Sequence, residues 1–212
     1  MRAAVAAVIL TLIGSTQARA APRVDECTHQ TVTLEHERGL PAGMLLAISM
    51  AESSYGGRPQ PYALRIGGRS LYPATLSQAT RRLHAALQDG QQNINAGCMQ
   101  LSLQHHGVAF DPPERILEPA GNVRRAAVLL VALHRDYHSW TAALAHFQGG
   151  GVAQQQKYIC RVWRYLRVLA PASAAQLDAS HCQEKRRPNI SSLVVRQAHE
   201  LRRKLIEKQA KG

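Results

Sequence analysis

Ile48-Ser49-Met50-Ala51-Glu52-Ser53-Ser54-Tyr55-Gly56-Gly57 is the stretch on which the fold turns. Just before it, Leu45 and Leu46 join Ile48 and Met50 in a largely apolar run opened by Pro41, a residue suited to the first turn of a helix. Gly56 and Gly57 end that helix. Glu52 therefore falls in the last turn of an apolar helix. The negative end of the helix dipole disfavours a charge there, and so does burial against apolar neighbours. Both raise a carboxyl pKa, which is the property a general acid needs near neutral pH. The plainer alternative, a solvated glutamate on an outer face, is the ordinary fate of this residue type. The rest of the chain weighs against it.

Working outward, residues 1–20 have the form of a secretory signal. Arg2 gives a positive start, Val5 to Ile13 an apolar stretch too short to span a bilayer, and Ala18-Arg19-Ala20 a small-x-small site. Export leaves about 192 residues, enough for one domain with a core. It also suits Cys27, Cys98, Cys160 and Cys182 to disulfides in an oxidising compartment, here the periplasm. No transmembrane segment is expected after the signal is removed. The net charge of +12 implies an anionic partner, such as cell wall, anionic lipid or an acidic protein. Nucleic acid is argued against by export and by an aromatic content of 5%, which gives little material for base stacking.

Helical spacing recurs along the chain. A short helix is expected over Thr28–Arg38, closed by Gly39, and another over Leu76–Leu87, closed by Gly90. A long helix should begin near Asn122, a short one is capped by Ser139, and a core helix should run from Val152 to Leu169. Between the first helices, Tyr62-Ala63-Leu64-Arg65-Ile66 alternates as a strand does, and Gly67-Gly68 would turn a hairpin. Asn93–Gly107 reads as irregular, and Pro171-Ala172-Ser173-Ala174-Ala175 as linker. Residues 191–209 make a basic helix with Val194, Ala198, Leu201 and Leu205 down one side. That narrow stripe predicts a separable element. The expected organisation is a domain over 21–170, a linker over 171–190 and a basic helix over 191–212.

Five motifs fall in order. They are Glu52-Ser53, Gly97-Cys98-Met99-Gln100, Asn122 with Ala126-Ala127, Ala143-Leu144-Ala145-His146-Phe147-Gln148-Gly149-Gly150, and Tyr158-x-x-x-Val162. The series resembles the SLT-type lytic transglycosylases, whose fold is similar to goose-type lysozyme. Their pattern runs E-S, G-L-M-Q, N with a following G-A, A-x-x-x-Y-N-x-G, and Y-x-x-x-V. The match covers residues 41–166. Pro61–Gly68 and Gln100–Gly107 further resemble P-W-x-L-N-x-x-G and Q-I-N-x-x-x-H-G of a branch that accompanies conjugation and secretion machines. The resemblance implies a mostly α, lysozyme-like α+β domain with a small β-hairpin insertion, plus the C-terminal basic helix.

It also implies a chemistry, with Glu52 as catalytic acid and base on peptidoglycan glycan strands and with no metal or cofactor. Ser53 would orient Glu52 or the substrate N-acetyl group. Met99, Gln100, Phe147 and Gln148 would line the sugar cleft, Gln100 by side-chain hydrogen bonds. Tyr158 would set its hydroxyl near Glu52. A two-carboxylate glycosidase needs a partner acid, and between Ser53 and Phe110 the only one is Asp89, near a helix end. One-carboxylate chemistry follows, in which the substrate's own groups assist. The chain departs from the family at Phe147, which lacks the hydroxyl of the usual Tyr, at Gln148 for Asn, at Cys98 for an apolar residue and at Ala126 for Gly.

Other readings stay open. A hydrolase of the same fold would use water in place of the sugar hydroxyl, and a non-catalytic adaptor would keep the cleft and recruit a secretion or conjugation component. His134 and His138 lie four apart on a helix but lack a third metal ligand. Residues 185–212 carry nine Lys or Arg against Glu200 and Glu207, which suits docking to an apparatus or an anionic envelope. Among the cysteines, Cys27 is expected to pair with Cys160 or Cys182, leaving Cys98 a buried thiol in the cleft segment.

Overall fold

Asp25 starts the first helix, its carboxylate accepting the Thr28 N–H at 2.9 Å, so that α1 runs over Glu26–Glu37. This is a computed structural model, and it describes residues 25–183 and 186–211. The expected signal segment, 1–20, lies outside them. α2 (Met44–Ser53) follows, and Met44, Leu45, Leu46, Ala47 and Ile48 are fully buried, as a helix apolar on all sides must be. Pro41 stands a turn ahead of α2 rather than inside it, its carbonyl accepting from Met44 N at 3.0 Å. The N-cap is Gly43, at φ 81°, where a Cβ would lie 3.0 Å from the Ala170 Cβ.

Gly56-Gly57 then turns a two-stranded hairpin, β1 (Ser54–Tyr55) with β2 (Arg58–Pro59). β3 (Leu64–Ile66) and β4 (Arg69–Leu71) form the hairpin expected around Gly67-Gly68. α3 (Leu76–Gln88) stops before Gly90, as its sequence predicts, and is capped by Thr75. The segment expected to be irregular contributes β5 (Ile94–Ala96), β6 (Leu101–Ser102) and the helical turn α4 (Leu103–His106). Strands of two or three residues are too short for a period to show. The second sheet has the order β4-β3-β5-β6, all antiparallel.

Two 3₁₀ turns lead into α5 (Pro119–Tyr137). Ser139 caps α6 (Trp140–Gln148), its hydroxyl accepting from Ala142 N at 3.3 Å. α7 (Val152–Leu169) is followed by the short α8 (Pro171–Ala174) and the terminal α9 (Ser192–Gln209). The chain is thus mostly helical with a small β part. α2 lies against α1 and α7, α5 against α1 and α6, and α9 against α1.

Three expectations need correction. The 171–190 stretch is not plain linker, because α8 buries Ser173 and Ala174 and Ser191 N donates to Gly57 O at 2.8 Å. Nor does the terminal helix stand apart from the domain. Val194 and Ala198 are fully buried, and Arg202 reaches into the domain to donate to Leu169 O at 3.1 Å and to pair with Glu35 at 3.6 Å. A narrow stripe suffices when a buried ion pair anchors it.

The disulfides are Cys27–Cys98 and Cys160–Cys182, not a bridge from Cys27 to the C-terminal half. Cys27, in the first turn of α1, faces the core where the Cys98 loop passes, and Cys160 on α7 meets the returning chain 22 residues later. The 71-residue separation of the first pair makes it worth about 4 kcal/mol in a chain-entropy account.

Glu35 shows what Arg202 is for. Its buried carboxylate accepts Gly43 N at 2.7 Å and Leu46 N at 3.0 Å, capping α2 from a neighbouring helix. Burial pushes its pKa up, while Arg202 and the backbone donors pull it down. Removing one partner of such a pair costs about 3 kcal/mol. Arg202→Ala is therefore expected to lower the melting temperature by roughly 6–12 °C, read by thermal denaturation, with Arg202→Lys recovering part of the loss. A shift under about a degree would show that the Arg202–Glu35 pair adds nothing to the domain.

Candidate active site

Helical spacing on α2 decides what each of its last residues touches. Ser49 and Ser53, four apart, both turn toward the loop after β5. The Ser49 hydroxyl donates to Cys98 O at 3.0 Å, and that of Ser53 is shared between Cys98 O at 2.9 Å and Ser49 O at 3.0 Å. Ser53 also accepts from Gln60 N at 3.3 Å. It is fully buried, so it clamps the loop to the helix end. From there it fixes the end of α2 that carries Glu52.

Asn122, at the start of α5, holds the same loop from the other side. Its Oδ1 accepts Met99 N at 2.8 Å, and its Nδ2 donates to Ala96 O at 3.0 Å and Ile116 O at 2.9 Å. A buried amide satisfied on both ends fixes the backbone around it. Gly97, at φ 81°, lies so close to this amide that any Cβ would clash with it. Gln100 also has a left-handed backbone, at φ 46°, and its amide nitrogen donates to Ala63 O at 3.0 Å and Gly97 O at 3.2 Å. The side-chain nitrogen expected to hold sugar therefore holds the loop to the β3 segment, leaving Oε1 as acceptor.

The result is a cleft of about 210 Å³. Glu52, Met99, Gln100, Phe147 and Gln148 of the expected set all line it. Tyr158 does not, since it is fully buried in α7, behind Glu52. Arg65, Asn95, Ser102, His105, His106 and Arg161 join the lining. Two of these had a readable signal. Leu64 is buried in β3, so alternation sends Arg65 to the other side, and Arg161 lies three residues past Tyr158 on α7. The histidines needed the chain reversal at α4, which the sequence pattern does not show.

Glu52 is partly buried, and its pKa is raised above the ordinary 4.5, with burial the largest cause. The Tyr158 hydroxyl, Arg161 and Arg65 pull the other way. For Tyr158, burial and then the Glu52 charge push the phenol well above its usual range. No bond of hydrogen-bonding geometry closes onto that hydroxyl, although Glu52 and Tyr158 are near enough to shift one another. Arg161 donates to Ala51 O at 3.3 Å, at the carbonyl end of α2, and lies 5.7 Å over the Tyr158 ring. It thus weakens the dipole that opposes a charge on Glu52. His106 is held below its ordinary pKa by burial and then by Arg125 and His105.

Among the described residues no second carboxylate lines the cleft. Asp89 ends α3 and is exposed. The arrangement offers one carboxylate, two arginines to stabilise its anion, and polar side chains that include His105 and His106. His134 stacks on Trp140 at 3.7 Å. Among the described residues, the one group of potential metal ligands is Cys160, His181 and Cys182, and its two sulfurs bond each other rather than a metal.

The sign of the Glu52 shift sets a stability test. A carboxyl whose folded pKa lies above its unfolded value stabilises the fold below the unfolded value and loses that contribution as pH rises through the folded one. Glu52→Gln should therefore melt higher than the parent at pH 7, and the gap should close as pH falls below 4.5. A lower melting temperature at pH 7, or a gap independent of pH, would contradict the burial of Glu52 as the dominant effect.

No protein-family model, curated protein or solved structure matches this chain, so the chemistry of the cleft rests on its own residues.

Proposed function

We propose that this chain is a peptidoglycan lytic transglycosylase, cleaving the β-1,4 bond between N-acetylmuramic acid and N-acetylglucosamine and leaving a 1,6-anhydro end. The observation that carries the reading is the single carboxylate of the cleft, Glu52, with its raised pKa and two arginines beside it. A group that serves first as acid and then as base needs a pKa near ambient pH. Protonated Glu52 donates to the bridging oxygen as the C1–O bond breaks, and the substrate's own N-acetyl oxygen closes on C1. The C6 hydroxyl then attacks C1, the N-acetyl oxygen leaves, and the C6 proton returns to Glu52. No water is consumed. Arg65 and Arg161 stabilise the carboxylate between the two steps, and Met99, Gln100, Phe147 and Gln148 shape the sugar site.

The same reading assigns the protein to the periplasm, opening wall locally for a conjugation or secretion apparatus. Its support is the motif resemblance over Pro61–Gly68 and Gln100–Gly107, the two disulfides, and a charge suited to an anionic wall. No described helix is long and apolar enough to cross a membrane. Docking to the apparatus falls to the outer face of α9, where Arg196, Arg203, Lys204 and Lys208 are exposed.

Mass analysis of muropeptides released from purified wall by residues 21–212 tests the proposal. Anhydro-muramoyl ends, lighter than hydrolysed ends by one water, are the expected product. Glu52→Gln should lower their release at least a hundredfold, about the lower range for an acid–base group. Reducing ends would make the protein a hydrolase of lysozyme type. Binding without release would make it an adaptor, an outcome consistent with the missing hydroxyl at Phe147.

A further inference from the structure

Next to the cleft lies a second, shallower hollow of about 500 Å³ on the outer side of α7. Lys157, Arg161 and Arg164 recur on one face of that helix, at spacings of four and three. His181 closes the hollow from the far side. Its position is set covalently, because the Cys160–Cys182 disulfide ties the returning chain to α7 one residue away. Among the described residues no carboxylate pairs with Lys157 or Arg164. The nearby Asp178 spends its Oδ1 on Ser180, at 2.8 and 3.1 Å. Arg161 lines this hollow and the Glu52 cleft alike.

Lys157 and Arg164, which pair with no carboxylate among the described residues, lie beside the cleft and fit an anion carried by the substrate itself. We infer that the α7 hollow binds the carboxylates of peptide branches on muramoyl units seated next to Glu52, so that the protein selects peptide-bearing strands over bare glycan. This inference rests on the proposed function. A branch leaving a sugar in the cleft has only to pass Arg161 to reach Lys157 and Arg164. The disulfide supplies the fourth wall and spares the site the entropy of ordering its loop on binding. Arg161 divides its charge between Glu52 and the hollow, so Lys157 and Arg164 make the separable contribution.

The test uses the mature chain carrying Glu52→Gln, so that nothing is cleaved during titration. The probes are wall-derived glycan oligomers with peptides intact and the same oligomers stripped by an amidase, followed by calorimetry at low and high salt. Adding Lys157→Gln and Arg164→Gln should weaken binding of the peptide-bearing oligomers roughly fivefold at low salt, the sum of two exposed charge contacts. Binding of stripped oligomers should not change, and the difference should shrink with added salt. Lys157→Arg with Arg164→Lys should retain the preference. Equal losses for both probes, no loss for either, or poly-glutamate competing as well as the wall peptides would overturn the inference while leaving the functional reading intact. Binding of neither probe by the parent would overturn both.

Discussion

A carboxylate held at the carbonyl end of a buried helix is the constraint around which this protein is built. A glutamate stands at each end of α2, one of them from α1, and the two ends of the helix have opposite signs. Glu35, supplied by α1, meets the N-terminal amides of Gly43 and Leu46, where the dipole welcomes an anion. Glu52 sits in the last turn, where the dipole and burial both oppose ionisation. Burial raises the pKa of both, but Glu35 is anchored by two backbone amides and Arg202, whereas Glu52 faces the cleft. The difference comes from position along one helix rather than from residue type.

Much of the remaining structure holds that last turn in place. Ser49 and Ser53 fasten it to Cys98 O, the Cys27–Cys98 disulfide fastens the same loop to α1, and Asn122 fixes Met99 beside it. The loop thus has anchors on α1, α2 and α5. Arg161 from α7 donates to the Ala51 carbonyl and, after the Tyr158 hydroxyl, offsets part of the burial that raises the Glu52 pKa. At the opposite end, Arg202 of α9 locks the Glu35 cap, so the terminal helix bears on the geometry of α2 although it lies far from Glu52 in sequence. Together these contacts turn a locally unfavourable placement into a fixed one.

The longer helices and the β3–β4 hairpin were legible because apolar spacing, Gly stops and the Ser139 cap act locally. Glu52, Met99, Gln100, Phe147 and Gln148 were found from motifs, and they do share one cleft. What escaped was decided by contacts between distant segments. Cys98 carried no mark that it faces Cys27 across the core, and nothing in the stripe of α9 announces that Arg202 meets Glu35. The hydrogen bonds of Ser53 and Gln100 to backbone carbonyls were not legible, because sequence does not reveal which distant carbonyls they meet. The two strands of Asn93–Gly107 were missed because pairing, not period, makes them strands.

The charge state of Glu52 is the point at which the account is most exposed. Selective ¹³C labelling of glutamate, with Glu52→Gln to assign the resonance, gives its carboxyl titration directly by NMR across pH. The account predicts a midpoint above the ordinary 4.5, moving further up when Arg161 is replaced by Gln. A midpoint at or below 4.5 in the parent protein would mean that Arg65, Arg161 and Tyr158 outweigh burial, and that Glu52 is an ordinary anion rather than a poised acid.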